Sequence, residues 1–360
     1  MEKLVIDPSF WKGRNIFLTG HTGFKGSWLS LCLKRLGANV TGYALEAPTD
    51  PSIFEIARVE ETMRLSVHGD VRDAAALNQA MRESKPEIVI HMAAQSLVRD
   101  SYSDPVATYS TNVMGTVNVL EAARSTSSVK AILNITTDKC YENNEWVWGY
   151  RENDPMGGHD PYSNSKACAE LISASYRKSF LQASGLALAT ARAGNVIGGG
   201  DWAKDRIVPD AIRAFTQNKP LVIRNPLSTR PWQHVLEPLS GYLILCQQLI
   251  EKPLEFDQGW NFGPNDDDVQ PVSSVANIMT RAWGEESEWT LDTGVHQHEA
   301  RSLKLDCSKA KALLKWSPIW DLEKALTETV QWYKAWDNKQ NMNEFTLKQI
   351  DGYLQYKQLQ

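Results

Sequence analysis

The chain has 360 residues, 42% of them hydrophobic and 22% charged, with a formal net charge of −5 at pH 7. Such a chain is ordinary for a soluble protein and long enough for a large core and two lobes. Its mild acidity and lack of a basic block give no footing for nucleic acid or an anionic membrane. No apolar run approaches the roughly 18 residues of a membrane-spanning helix. Acids and a tryptophan interrupt the N-terminal stretch where a signal peptide needs an apolar core. Cys32, Cys140, Cys168, Cys246 and Cys307 are scattered without Cys-x-x-Cys spacing. That pattern speaks against a disulfide framework or zinc cluster and for a reducing cytoplasm. Thirteen tryptophans are expected to line the core and pockets.

Residues 15–20 form a short apolar run of the kind that makes a buried parallel strand. Gly20-His21-Thr22-Gly23-Phe24-Lys25-Gly26 follows, and a helical pattern runs from Ser27 to Leu36. Strand, glycine turn and helix together predict a dinucleotide site. The glycines permit close backbone approach, and the helix N-terminus faces a diphosphate. The spacing is Gly-x-x-Gly-x-x-Gly, and Lys25 precedes the last glycine, so it is not a P-loop. A second strand, 39–44, should end with the acid that holds the adenosine ribose. That place falls at Ala44, with Glu46 two residues on, so the residues leave NAD and NADP both open.

Further strands are predicted at 65–68, 88–92 and 131–136, with helices at 73–83 and 106–124. Asp70 and Val71 after the third strand suit an adenine contact, and Ala93, Ala94 and Gln95 after the fourth suit a cofactor-lining turn. This alternation argues for an α/β fold with a doubly wound parallel sheet. The fifth strand ends in Thr136-Thr137-Asp138-Lys139-Cys140, where catalytic groups gather in such sheets. A packed thiol is the reading for Cys140, which has no histidine partner nearby in sequence.

Tyr162 and Lys166 then open a helix expected to reach Phe180. Ala167, Leu171, Ala174 and Phe180 are assigned to its inner face, and Glu170, Arg177 and Lys178 to its outer one. An ammonium one turn from a phenol stabilises the phenolate, making the tyrosine a proton acceptor near neutral pH. A sixth strand is read at 186–192, and Gly194 to Gly200 breaks regular structure. Beyond it the alternation is lost, as expected for a smaller α+β lobe, with isolated arginines at 206, 224, 230 and 301. The fork of an arginine suits a diphosphate. A division at 1–192 and 193–360 follows, with the chain free to recross. A helix is predicted over 321–336 with Leu322, Ala325, Leu326, Val330 and Tyr333 inward. The polar end, 338–360, is read as an extra helix or loose chain. The histidines at 234, 296 and 298 lack metal spacing.

The Thr-Gly-x-x-Gly-Phe-x-Gly start and the Tyr-x-x-x-Lys centre resemble the extended short-chain dehydrogenase/reductase family, and within it the nucleotide-sugar 4,6-dehydratases. Those carry Thr-Asp-Glu where this chain has Thr137-Asp138-Lys139. Together with residues 21–29 and 300–306, the lysine is similar to the CDP-sugar branch of that group. The resemblance implies a Rossmann-type fold, bound NAD, a CDP-sugar substrate, a homodimer built on the helices at 106–124 and 163–180, and supply of deoxysugars to O-antigen polysaccharide. It assigns catalysis to Thr137, Asp138, Lys139, Tyr162 and Lys166. Cofactor contacts fall to Gly20, His21, Gly23, Phe24, Lys25, Gly26, Asp70, Val71, Ala93, Ala94, Gln95 and Thr136, besides Tyr162 and Lys166. Substrate contacts fall to Asn195, Arg206, Leu221, Arg224, Arg230 and Arg301. By the same resemblance Asp138 is the acid for the leaving 6-hydroxyl. Lys139 is either the C5 base or a cation beside the enolate. A 4-epimerase or a dinucleotide sensor remains the alternative.

Overall fold

The computed structural model describes residues 5–284, 287–292, 294 and 303–359. Strands are numbered along the chain: β1 (Asn15–Thr19), β2 (Asn39–Ala44), β3 (Leu65–His68), β4 (Ile88–His91), β5 (Ala131–Ile135), β6 (Ala187–Ala193), β7 (Asn195–Ile197), β8 (Leu221–Ile223), β9 (Thr229–His234), β10 (Gly259–Phe262), β11 (Val269–Pro271) and β12 (Trp289–Leu291). The main helices are α1 (Phe24–Arg35), α2 (Ala74–Ser84), α3 (Gly115–Arg124), α4 (Pro161–Tyr176), α5 (Ile207–Phe215), α6 (Leu236–Glu251), α7 (Val272–Trp283), α8 (Leu322–Asp337) and α9 (Met342–Leu359).

Seven parallel strands form the central sheet in the order β3-β2-β1-β4-β5-β6-β10. The apolar runs of β4, β5 and β6 are buried throughout, as strands covered by helices on both faces must be. The order reverses between β1 and β4, and a crevice opens there at the carboxyl ends of the strands. The seventh strand comes from the C-terminal half, so the chain returns to the sheet after leaving it. Strands β7, β9 and β11 make a small sheet, and β8 pairs with β12 in parallel.

The tryptophan excess has a packing explanation. Trp11, Trp28, Trp260, Trp316 and Trp332 are fully buried. The five inward residues expected on α8 are buried. The polar end is helical, and α9 is fastened by Tyr353, whose hydroxyl donates to Glu237 at 2.7 Å. The Glu237 carboxylate also accepts the Trp320 amide at 2.8 Å.

Two helices differ from expectation. The stretch 106–124 is not one α-helix, because a π-turn over Ser110–Met114 interrupts it ahead of α3. On α4 and the π-turn that follows it (Arg177–Leu181) the assignment of faces reverses at three positions: Leu171 and Phe180 are exposed at 60% and 46%, while Glu170 is buried at 5%. Arg192 on β6 reaches the Glu170 carboxylate at 2.8 Å, which is why a charge can lie inward there.

Candidate active site

The turn from β1 to α1 is a cradle that no side chain could enter. Gly20 has φ +76°, and a Cβ on it would lie 2.7 Å from the Ala93 nitrogen. A Cβ on Gly26 would lie 2.1 Å from the Gly20 carbonyl oxygen. Gly23 caps α1 without any side-chain hydrogen bond, which leaves the first amides of the helix aimed outward. That cradle fits the diphosphate of a dinucleotide. His21 is buried with its ring beneath Gly42, and its Nε2 meets Ser66 Oγ at 2.8 Å. Burial lowers its pKa to about 4. Phe24 lies against Gly198 across the crevice.

The remaining positions expected around the cofactor sit at strand ends. Thr19 Oγ1 accepts the amides of Met92 and Ala93 at 3.1 and 3.2 Å, which sets the Ala93-Ala94-Gln95 turn. Asp70 is tied to Arg72 by an ion pair of 2.5 Å, and Val71 packs on Gly115. Ala44 ends β2 as a buried apolar residue, while Glu46 faces His68 at 3.5 Å. Thr136 does not turn its hydroxyl to the crevice: it donates to Glu170 Oε1 at 2.5 Å.

The tip of β5 and the head of α4 come together. Thr137 caps a short 3-10 turn over Asp138–Cys140. Its hydroxyl donates to Asp138 Oδ1 at 3.0 Å and hydrogen-bonds the Tyr162 phenol. Asp138 Oδ2 is buried with no protein partner among the described residues, and Gly194 stands beside it, where a Cβ would come within 3.2 Å. Lys139 is half-buried next to it. Cys140 is fully buried, and burial pushes its thiol well above the ordinary range, as fits a packed thiol.

The electrostatics revise the simple phenol–ammonium picture. Burial raises the Tyr162 phenol to about 12, with Thr137 and the Arg206 guanidinium pulling it down and Asp138 raising it. Lys166 donates to the Ile135 carbonyl at 3.0 Å, and burial, reinforced by Lys25, lowers its ammonium to about 8. Lys25 is itself lowered to about 8 by burial and Arg206, while Asp138 works the other way. Tyr162 is therefore a neutral phenol here, within a cluster of cations and carboxylates.

On the substrate side, Arg206 precedes α5 and pairs with Asp201 at 2.8 Å. Arg224 follows β8 and lies 3.7 Å from Asp205, which Arg99 also holds at 2.6 Å. Arg230 is on β9 and donates to the Thr229 carbonyl at 2.9 Å, and Asn195 starts β7, the neighbouring strand. Leu221 is in the core, with its amide bonded to the Glu288 carbonyl at 2.9 Å. Arg301, His296 and His298 lie outside the described residues. His234 is buried between Trp28 and Trp320, and among the described residues no cluster of metal-ligating side chains occurs.

The profile of the GDP-mannose 4,6 dehydratase family matches residues 17–329. The chain belongs to the GDP-mannose 4,6-dehydratase family. A CDP-glucose 4,6-dehydratase of Salmonella typhimurium is 54% identical over 355 residues, 97% of this chain and 99% of that protein. A dTDP-glucose 4,6-dehydratase of Xanthomonas campestris pv. campestris is 25% identical over 335 residues, 88% of this chain and 92% of that one. The solved dTDP-glucose 4,6-dehydratase of Bacillus anthracis in complex with NAD superimposes with a TM-score of 0.74 at 22% identity, covering 91% of this chain and 99% of that chain. The UDP-glucose 4-epimerase of Thermotoga maritima gives a TM-score of 0.77 at 22% identity, covering 89% of this chain and 98% of that chain. These two likenesses speak for the fold.

In this member of the GDP-mannose 4,6-dehydratase family, three polar residues that sequence reasoning missed hold the site together. Asn112, in the π-turn, accepts the Gln95 amide and donates to the Gln95 carbonyl, both at 2.9 Å. It also donates to Ser165 at 2.9 Å, joining the cofactor turn to α4. Its neighbours Ser110, Thr111 and Thr116 are polar too, so no local signal sets it apart. Glu170 and Arg192 carried no signal either, since charges at helix and strand positions are usually solvated.

Proposed function

We propose that the protein binds NAD and eliminates water from CDP-glucose to give CDP-4-keto-6-deoxyglucose. The observation that carries this reading is Asp138, whose carboxyl group has a buried oxygen without a partner among the described residues and stands one residue from the hydroxyl that bonds Tyr162. A 4-epimerase needs the tyrosine and lysine but has no use for an acid and a cation at the strand tip. The nucleotide is supported by 54% identity across 97% of the chain to a CDP-glucose 4,6-dehydratase.

The glycine cradle, the Ala93–Gln95 turn and Lys166 would hold NAD, which when bound supplies the acceptor and later the donor of a hydride. Tyr162, as the phenolate that Thr137 and Arg206 favour and with its own proton already passed to solvent, takes the proton of the sugar 4-hydroxyl, which Thr137 orients. Once C4 is a ketone, the C5 proton becomes acidic. Asp138, acting from its protonated form, gives its proton to the departing 6-oxygen and is left as the carboxylate. Lys139 either removes the C5 proton as an amine or, as an ammonium, stabilises the enolate while Asp138 carries the C5 proton to the 6-oxygen. The burial that raises Tyr162 also keeps bulk water from the intermediates. Arg206, Arg224, Arg230, Arg301 and Asn195 are placed in this reading on the diphosphate and nucleotide.

A homodimer is supported by the apolar side chains exposed on the expected helices, Val106 at 77%, Met114 at 52% and Leu171 at 60%. A cytoplasmic setting is supported by five free cysteines, four of them buried. No described helix is long and apolar enough to cross a membrane. Deoxysugar supply to O-antigen follows from the product.

Mass spectrometry of protein mixed with NAD and, separately, CDP-, dTDP-, GDP- and UDP-sugars tests the proposal. Loss of one water from CDP-glucose alone is the expected result. Water lost only from another nucleotide sugar overturns the substrate. An unchanged mass with a new sugar epimer overturns the reaction.

A further inference from the structure

Four consecutive residues of the β5 end are each bonded to α4. Asn134 donates to Ser173 at 3.0 Å, the Ile135 carbonyl accepts Lys166 at 3.0 Å, Thr136 donates to Glu170 at 2.5 Å, and Thr137 bonds Tyr162. Tyr162, Lys166 and Glu170 recur every fourth residue and so form one stripe of the helix. Glu170 closes that stripe with more bonds than either neighbour. Its Oε2 accepts Thr190 at 2.6 Å and Arg192 at 2.8 Å, both from β6. Arg192 in turn donates to the Tyr141 hydroxyl at 2.6 Å, and Tyr141 donates to Asn261 on β10 at 2.7 Å.

A buried ion pair is a poor way to stabilise a fold, because desolvation offsets much of the attraction and an apolar pair of similar volume serves as well. The pair sits one turn beyond the residues that move the proton. We infer that Glu170, anchored by Arg192, is a positioning residue: it fixes the Tyr162–Lys166 turn against the β5 tip and supplies the counter-charge that Lys166 faces inside the protein.

The charges around Lys166 support this. Lys25 faces it from the glycine turn, Glu170 from its own helix, Cys140 from the β5 tip and His91 from β4. Burial and then Lys166 lower His91 to about 3, so it is neutral, and burial keeps the Cys140 thiol protonated. Glu170 is left as the anion of the group. Burial works to raise its carboxyl, but Arg192 and the hydroxyls of Thr136 and Thr190 hold it below the usual range. Glu170 opposes the drop of the Lys166 ammonium. Without that charge Lys166 would lose its proton at lower pH.

The inference rests on the reading of Tyr162 and Lys166 as the proton-handling pair, so Tyr162→Phe serves as the control. The test is the pH profile of kcat/KM for water loss from CDP-glucose in Glu170→Gln, which keeps the shape and removes the charge. The alkaline limb is expected to move down by about one pH unit, a tenfold loss at the wild-type limb. Thr136→Val, which removes a bond and keeps the charge, should leave the limb in place. Should Glu170→Gln not fold, Glu170→Gln with Arg192→Met removes both buried charges and should show the same displacement. A limb unmoved in either folded variant, with activity lowered equally at every pH, reduces Glu170 to a brace and overturns the inference. Failure of both variants to fold overturns it likewise, since the pair is then needed for the fold itself. Full activity of Tyr162→Phe instead strikes the reading of the site.

Discussion

Asp138 and Lys139 are adjacent in the chain but meet different surroundings. The aspartate is buried against Thr137 and Gly194, while the lysine is half-buried and makes no ion pair among the described residues. A positioned acid or base usually contributes about 10²–10⁴-fold to a rate. Lys139→Ala should therefore cut water loss from CDP-glucose by about that factor, with NAD binding unchanged by equilibrium titration. Near-wild-type turnover would remove Lys139 from the mechanism. At this scale the sequence was readable where chemistry and position coincide. Thr137, Asp138, Tyr162 and Lys166 stand at a strand tip and a helix head, and the structure brings them together. Glu170 was misread because helical periodicity groups it with Arg177 and Lys178. Only the partner on β6, distant in sequence, makes its burial affordable. Arg206 acting on Tyr162 was equally invisible, since nothing local says which loop returns to the crevice.

The glycine turn is the element on which cofactor affinity depends. An added Cβ at Gly26 would meet backbone, not a flexible side-chain end, so the turn must open to admit it. Overpacking of this kind costs about 1–3 kcal/mol. Gly26→Ala should weaken NAD binding by the corresponding factor, roughly 5- to 150-fold, measured by quenching of tryptophan fluorescence; unchanged affinity would show that the cradle is not the diphosphate site. The strands over 39–44 and 65–68 coincide with the expected ones to the residue, although the second, at the edge of the sheet, has no buried residue. The π-turn at Ser110–Met114 is not legible in the sequence, since one extra residue per turn changes no composition. Its effect is to swing Asn112 inward to the Gln95 turn.

The whole molecule presents an apolar surface on the helices that flank the tyrosine. Leu171, Met114 and Val106 are exposed there, and the face assignment of α4 failed at Leu171, which the chain itself leaves uncovered. Leu171→Glu should shift the protein from dimer to monomer in analytical ultracentrifugation, with its circular dichroism unchanged. A wild-type monomer would refute the dimer outright. The division of the chain was legible only in outline, because a strand as short as Gly259–Phe262 gives no sign of which sheet it joins.

That late strand also bears on how the protein is made. When β6 leaves the ribosome it has β5 on one side and an open row of backbone groups on the other. Its partner β10 follows only after residues 194 to 258 have been synthesised, several seconds at roughly 5–20 residues per second. During that interval the nascent chain carries an open strand edge, with a single charge, of the kind that pairs with strangers. Arg192, near the end of that edge, is the one charge in an otherwise alanine-rich strand. The newborn chain is thus most in need of a chaperone between the sixth strand and the seventh.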